Sequence, residues 1–204
     1  MFKKMASDAL GLSDIGKIIR KEDFDKAQSD DFVLTEDGEK IHFLIKSKSD
    51  EYCFTNRALI HLDGEKATSS KRNIHRYDYY QHPIRKVSVE TAGTIDLDLE
   101  IKFYIGDQYL SIDIAKDEGE AIADLYKSLV SISQIQEENQ RQAAFAKDSI
   151  GMAQDLIHDN RFHENDISKE FSEAAAFAYD WFTQKYKENT RKDFDGVFEK
   201  YIQN

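Results

Sequence analysis

The sequence predicts an α+β fold: an antiparallel seven-stranded β-barrel or sandwich closed by one amphipathic helix, with an N-terminal helix before it and a C-terminal helical hairpin after it. Three observations lead there. Apolar and polar residues alternate from Ile95 to Tyr104, with Ile95, Leu97, Leu99, Ile101 and Phe103 on one face. The turn dipeptides Asp37-Gly38, Asp63-Gly64, Ala92-Gly93 and Gly106-Asp107 cut the chain into short runs. No crossover helix separates those runs, which excludes a parallel βαβ topology.

Taken in order, residues 7–27 carry Leu10, Leu12, Ile15, Ile18, Ile19 and Phe24 at three- and four-residue steps, the spacing of a short helix with one apolar side. Ile41, Phe43 and Ile45 then alternate with His42, Leu44 and Lys46, so the period changes to that of a strand. Residues 51–56 and 58–62 form two more strand-like runs. A basic stretch over 66–76 leads into Tyr77–Ile84, where Pro83, unable to donate to a ladder, marks an edge, bulge or strand start. Strands follow at 86–90, 94–104 and 109–114.

Asp117-Glu118 suits the positive end of a helix whose stripe is Ala121, Ile122, Leu125, Leu129 and Ile132. The remainder reads as helical: 134–157, then a segment from Phe171 to Tyr186, then a short helix opened by the capping-box pattern Thr190-Arg191-Lys192-Asp193. The expected organisation is an N-terminal helix and connector over 1–36, a β-domain over 37–133 and a helical extension over 134–204. The extension carries more aromatic rings than a small hairpin buries within itself. Phe171, Phe177, Trp181 and Phe182 are therefore the expected oligomerisation residues.

A formal charge of −11 over 204 residues argues against a general nucleic-acid binder and disfavours broad adhesion to an anionic membrane. Cys53 is the single cysteine, so no intramolecular disulfide forms and a reducing compartment fits. No apolar run approaches the roughly 18 residues a spanning helix needs, and the N-terminus lacks an apolar signal-peptide core. A cytoplasmic protein without stable membrane insertion is expected.

The segments Phe54-Thr55-Asn56, Leu59-Ile60, Asp63-Gly64, Ile84 and Ser88-Val89-Glu90-Thr91-Ala92-Gly93, followed by Asp96-Leu97-Asp98-Leu99-Glu100, resemble the bacterial pleckstrin-homology-like family. The carboxy-terminal part resembles the helical oligomerisation extension of its YvbH-like members. The resemblance implies a pleckstrin-homology-type β-barrel with a closing helix, self-assembly and no enzymatic activity. Arg57-Ala58 departs from the pattern at a strand end. The basic first hairpin loop with which eukaryotic relatives hold phosphoinositides is missing. Lys46 and Lys48 are here offset by Asp50 and Glu51, so lipid binding is not implied.

Two clusters are candidate sites for a ligand or an interface. Lys66, Lys71, Arg72, His75, Arg76, Arg85 and Lys86 form a basic stretch in an acidic chain. It suits a phosphate, an anionic lipid or the acidic face of a neighbouring subunit such as Asp96, Asp98 and Glu100; its plain alternative is a solvated strand edge. His75, Tyr77, Tyr79, Tyr80 and His82 surround Pro83 and suit a groove, an interface or ordinary edge packing. His158, Asp159, His163, Glu164 and Asp166 hold metal-ligating types, but the histidine spacing is wrong for a zinc-protease helix, so no metal site is expected. Phosphate-cradling glycine motifs and the hydrolase nucleophile elbow do not occur, and no cofactor is expected. The expected function is a non-enzymatic, self-assembling scaffold or interaction protein, its first partner itself. The alternatives are an anionic lipid- or phosphate-binding module and an enzyme of unrecognised type.

Overall fold

The computed structural model describes residues 15–64, 72–91, 98–159 and 167–202, with side chains for 153–171 outside that description. The chain divides into two compact units, one of residues 1–134 with 192–204, the other of 135–191.

In the first unit the strands form two open antiparallel sheets. One has the order β1-β2-β3-β4-β5, from β1 (Lys17–Ile18), β2 (Ile41–Lys46), β3 (Glu51–Thr55), β4 (Ala58–Asp63) and β5 (Asn73–Asp78). The other has the order β6-β7-β8, from β6 (Ile84–Thr91), β7 (Asp98–Ile105) and β8 (Gln108–Ala115). The expected seven-stranded barrel or sandwich is thus corrected to eight strands in two sheets, not closed into a barrel, among the described residues. Two strands are not located by their pattern: β1, too short to register as a periodic run, and β5, which lies in the stretch read as basic.

The first sheet is covered on both faces, which is why β2 and β4 are buried almost continuously. Phe43, Phe54 and Leu59 share one face by register and reach the second sheet through the Phe54–Phe103 contact at 6.3 Å. Leu44, Cys53, Ile60 and Leu62 share the other and are capped by Ala27 and Val33, with Ile19, Phe24 and Phe32 packed alongside.

The described part of the expected N-terminal helix is a different object. Ile18 lies in β1, while Ile19 and Phe24 are partly buried against the core, Phe24 on the first of two short 3₁₀ turns, Lys21–Lys26 and Gln28–Phe32. Long-range ties fix this segment: the Ile19 N–H donates to the Leu44 carbonyl at 2.9 Å, and the Ser29 N–H to buried Glu51 at 2.9 Å. Residues 7–14 lie outside the described residues.

Gly16 links the two sheets. Its N–H donates to the Asp113 carbonyl at 2.8 Å, and its own carbonyl accepts from Ala115 at 3.2 Å. An added Cβ would stand 2.7 Å from Ile45 Cγ2 and 3.0 Å from the Asp113 carbonyl, so only glycine fits. Gly16→Ala is expected to cost about 1–3 kcal/mol, read as a lower urea midpoint with an unchanged slope.

Helix α1 (Gly119–Asp159) buries Ile122, Leu125, Leu129 and Ile132 in the first unit, and Ser133 Oγ donates to the Ile84 carbonyl at 2.6 Å. The helix runs without interruption past 134, since neither Gly nor Pro occurs between Glu120 and Ile150, while the two compact units divide at Gln134 and Ile135. Helix α2 (Ile167–Asn189) belongs to the second unit. The short α3 (Asp195–Tyr201) belongs to the first. It starts two residues beyond the anticipated box: the Asp193 carboxylate accepts from the Asp195 N–H at 2.8 Å. Among the described residues no helix is long and apolar enough to cross a membrane.

Candidate functional site

The anticipated site residues sit around β4, β5 and the turn into β6, and the alternation of β5 divides them. His61 pairs with His75, Leu59 with Tyr77, and Ile60 with Arg76. His75 and Tyr77 therefore continue the face of Phe54 and Leu59, whereas Arg76 lies on the face covered by the N-terminal segment.

On the first face the rings form a ladder. Tyr52 stacks on His61 at 4.3 Å, His61 meets His75 at 6.1 Å, His75 meets Tyr77 at 6.3 Å, and Tyr77 meets His82 edge-on at 5.6 Å. The ladder runs from half-buried Tyr52 to β5, the last strand of the sheet among the described residues, where His75 is exposed. Asp50 lies 3.5 Å from the His61 ring.

On the other face Arg76 grips Glu39 with both terminal nitrogens at 3.1 Å and reaches Asp78 with Nε at 2.9 Å. The Glu39 side chain has no exposed surface. It also accepts from Thr55 Oγ1 at 2.5 Å and from the Leu34 N–H at 2.8 Å. Burial pushes its carboxyl up, but donation from Arg76, Thr55 and Leu34 outweighs this and holds it below the usual glutamate range.

The other residues are dispersed. Arg72 donates to the Ser49 carbonyl. Tyr79 is buried, with Phe194 at 5.7 Å and Phe198 at 6.2 Å. Tyr80 is exposed beneath Lys192, whose ammonium lies 4.9 Å from the ring. His82 Nδ1 lies 3.1 Å from the Asp78 carbonyl. Arg85 donates to the Gly106 carbonyl at 2.6 Å. Lys86 has φ 53° at the β6 bulge, its ammonium 5.4 Å from the Tyr104 ring. The basic stretch is therefore not one surface: Lys66 and Lys71 lie outside the described residues, and Arg76 faces inward. His163, Glu164 and Asp166 also lie outside them, as do the side chains of His158 and Asp159.

The seat of α3 escaped the sequence reading. Phe198 stacks on His42 at 5.1 Å, Asp195 meets the His42 ring at 2.8 Å and Lys40 at 2.9 Å, and Asn56 Nδ2 donates to Asp193 at 2.7 Å. The Phe194 N–H donates to the Asn56 carbonyl at 2.8 Å. Signals existed in Phe194, Val197 and Phe198, one apolar side of a short helix, and in the Thr55-Asn56 pair that ends β3.

Burial lowers the His42 pKa against the opposing pull of Asp195, while Lys40 and His42 hold Asp195 low. Both groups bind fewer protons folded than unfolded, so both stabilise the seat at neutral pH and lose that effect on acidification. Stability is expected to fall as pH drops below the ordinary histidine value of 6.5. Denaturant midpoints across pH will check this, and His42→Gln should flatten the histidine part of the profile while leaving the carboxylate part.

In the second unit the described rings of α2 lie on two sides. At about 100° per residue, Phe177 and Trp181 share one stripe while Tyr179, Phe182 and Tyr186 share the opposite one. Phe177 and Trp181 stack at 6.4 Å, and Phe177 is 64% exposed, Tyr179 73% and Tyr186 58%. The Phe171 side chain lies outside the described residues.

Residues 9–133 match the family model of the bacterial PH domain, and residues 144–204 that of the YvbH-like oligomerisation region. The chain is 51% identical over its full length to the full length of the uncharacterized protein YvbH of Bacillus subtilis (strain 168). It is 33% identical over 97 residues to the uncharacterized protein YjqA of the same organism, covering 47% of this chain and 76% of YjqA. A crystal structure of a PH-domain-containing bacterial protein from Exiguobacterium sibiricum 255-15 superposes with a TM-score of 0.84 at 48% identity, covering 93% of this chain and 100% of that one.

Proposed function

The chain belongs to the bacterial PH domain family and carries a YvbH-like oligomerisation region, and from that premise we propose that it is a non-enzymatic cytoplasmic scaffold that assembles with copies of itself through α2. The family match supports an interaction role in general. The observation that carries the specific reading is the pair of aromatic stripes on opposite sides of α2, exposed at Phe177 on one and at Tyr179, Phe182 and Tyr186 on the other, with Trp181 half-buried beside Phe177. One packing partner covers one side of a helix, and the second exposed side calls for a further surface. Phe177, Trp181 and Phe182 are the described anchors in this reading, with Phe171 beside them in sequence. Large aromatic side chains dominate the energetics of such interfaces.

An anion-binding role for the basic stretch has less support, since Arg72, Arg76 and Arg85 each donate to an acceptor within the chain.

Light scattering on the full chain should give a mass of several subunits. Phe177→Glu with Phe182→Glu, one charge on each stripe, should reduce that mass while the far-ultraviolet spectrum stays native. Substitution is preferable to truncation because α3 belongs to the first unit. A monomeric wild type, or a double variant of unchanged mass, overturns the proposal.

A further inference from the structure

The register of β3, β4 and β5 sets two imidazoles side by side on one face of the first sheet. His61 and His75 stand directly opposite each other across the β4–β5 ladder, so their side chains leave the sheet as neighbours. Tyr52, opposite His61 on β3, stacks on that ring at 4.3 Å and fixes its plane. Only 12% of the His61 side chain is exposed, and its Nε2 is buried with no hydrogen-bond partner among the described residues. A buried polar atom left in that state calls for a ligand or another specific cause.

Asp50 faces that nitrogen. Its Oδ1 stands 3.5 Å from His61 Nε2, beyond the range of about 2.7–3.2 Å for an N–H···O hydrogen bond. Two ligands of a tetrahedral zinc-type ion, each about 2.0–2.2 Å from the metal, lie roughly 3.4 Å apart. The turn from β2 to β3 holds the carboxylate in place: the Asp50 N–H donates to Ser47 Oγ at 2.9 Å, and Ser49 Oγ donates to Oδ2 at 2.6 Å, with Oδ1 on the histidine side. Burial pushes the Asp50 carboxyl up, but His61, Ser49 and the Gly64 N–H outweigh it and hold it below the usual aspartate range. At neutral pH it is therefore ionised, the form that ligates.

His75 brings a third donor. Its ring is exposed, with its centroid 6.1 Å from that of His61. Two imidazoles on one tetrahedral ion hold their centroids about 5 Å apart. No three ligating side chains converge as they stand among the described residues. A swing of the exposed His75 ring by roughly 1 Å closes the set, a movement that surface side chains make freely.

We propose that His61, His75 and Asp50 bind a divalent transition-metal ion of the zinc class, with water in the fourth position, tying the turn from β2 to β3 to strand β5. Two imidazole nitrogens and one carboxylate favour such an ion over magnesium or calcium, which take oxygen ligands. The site lies wholly in the first unit and goes beyond assembly through α2, which uses the other.

Calorimetric titration of zinc into the full chain, first stripped with a chelator, is the test, with magnesium as the comparison ion. Zinc should saturate a single site per chain that magnesium does not occupy. His75→Ala, at an exposed position, should keep the native far-ultraviolet spectrum and weaken zinc by more than about tenfold, since losing even a supporting group of a metal site costs that much. Asp50→Asn and His61→Gln should weaken it as well. Cobalt in place of zinc should give the visible absorption of a tetrahedral site, lost in His75→Ala. His158 and His163 are the rival ligands in the sequence, so His158→Ala with His163→Ala should leave the affinity unchanged. Absent saturation, equal occupation by magnesium, full affinity or an unchanged cobalt spectrum in His75→Ala overturns the proposal. Loss of zinc in the His158 and His163 double variant overturns it equally and marks an adventitious ion only.

Discussion

Arg76→Met is expected to destabilise the chain by about 3–5 kcal/mol, among the largest effects a single substitution should produce here. The guanidinium is the counter-charge of Glu39, whose side chain is fully enclosed, and methionine keeps the stem while removing that charge. Thr55 and Leu34 still donate to the carboxylate, but two neutral donors do not replace the charged fork. The pH dependence should change sign with it. In the wild type the Glu39 carboxyl is held low, so its contribution is present above the ordinary glutamate value and disappears as pH falls. In Arg76→Met burial wins and the carboxyl rises, so the variant should lose stability as pH rises towards neutral. Glu39→Leu should cost less, since the Arg76 side chain is 27% exposed and retains Asp78. The double variant should recover most of the loss. Urea melts of the four chains at several pH values will check this; additive losses in the double variant would contradict it.

Phe198→Ala is expected to cost a further class of stability, about 3–5 kcal/mol. Its ring is fully buried between His42 and Tyr79, and Phe194, also fully buried, closes the same pocket edge-on to Tyr79. The polar ties of α3 depend on that packing. With the ring gone, Asp195, Lys40 and His42 form an ion cluster open to water, where such pairs contribute little. Amide exchange should distinguish two outcomes. Loss of protection confined to α3 and the Lys40–Asn56 contact would show a separable seat; loss across β2–β5 as well is expected if the seat is part of the core.

Much of the β-unit was legible because one interaction dominated each signal. In β7, Ile101, Phe103 and Ile105 are buried and the residues between them are not, so the period of two read true. Helix α1 showed its stripe for the same reason. Legibility failed where tertiary contacts overrode local pattern. Residues 15–27 have helical spacing, yet Gly16 must approach β8 and Ile18 must pair with Ile45, and those needs impose an extended entry. The site fared worse. Arg76 and Arg72 look alike in sequence as cations in a polar stretch. Only the register of β5, and the placing of Glu39 behind it, sends one inward. The role of Asn56 depends on Asp193, 137 positions away, and no local signal carries that pairing.

The return of α3 changes the topology of what precedes it. Residues 135–191 are not a tail but a handle, with α1 leaving the β-unit at one end and Phe194 and Phe198 re-entering it at the other. A free tail trades places between neighbouring molecules by releasing one attachment. A handle must release α3 as well, and that lock carries two buried phenylalanines. Any load applied to residues 135–191 reaches the first unit through two chain connections, at α1 and at α3.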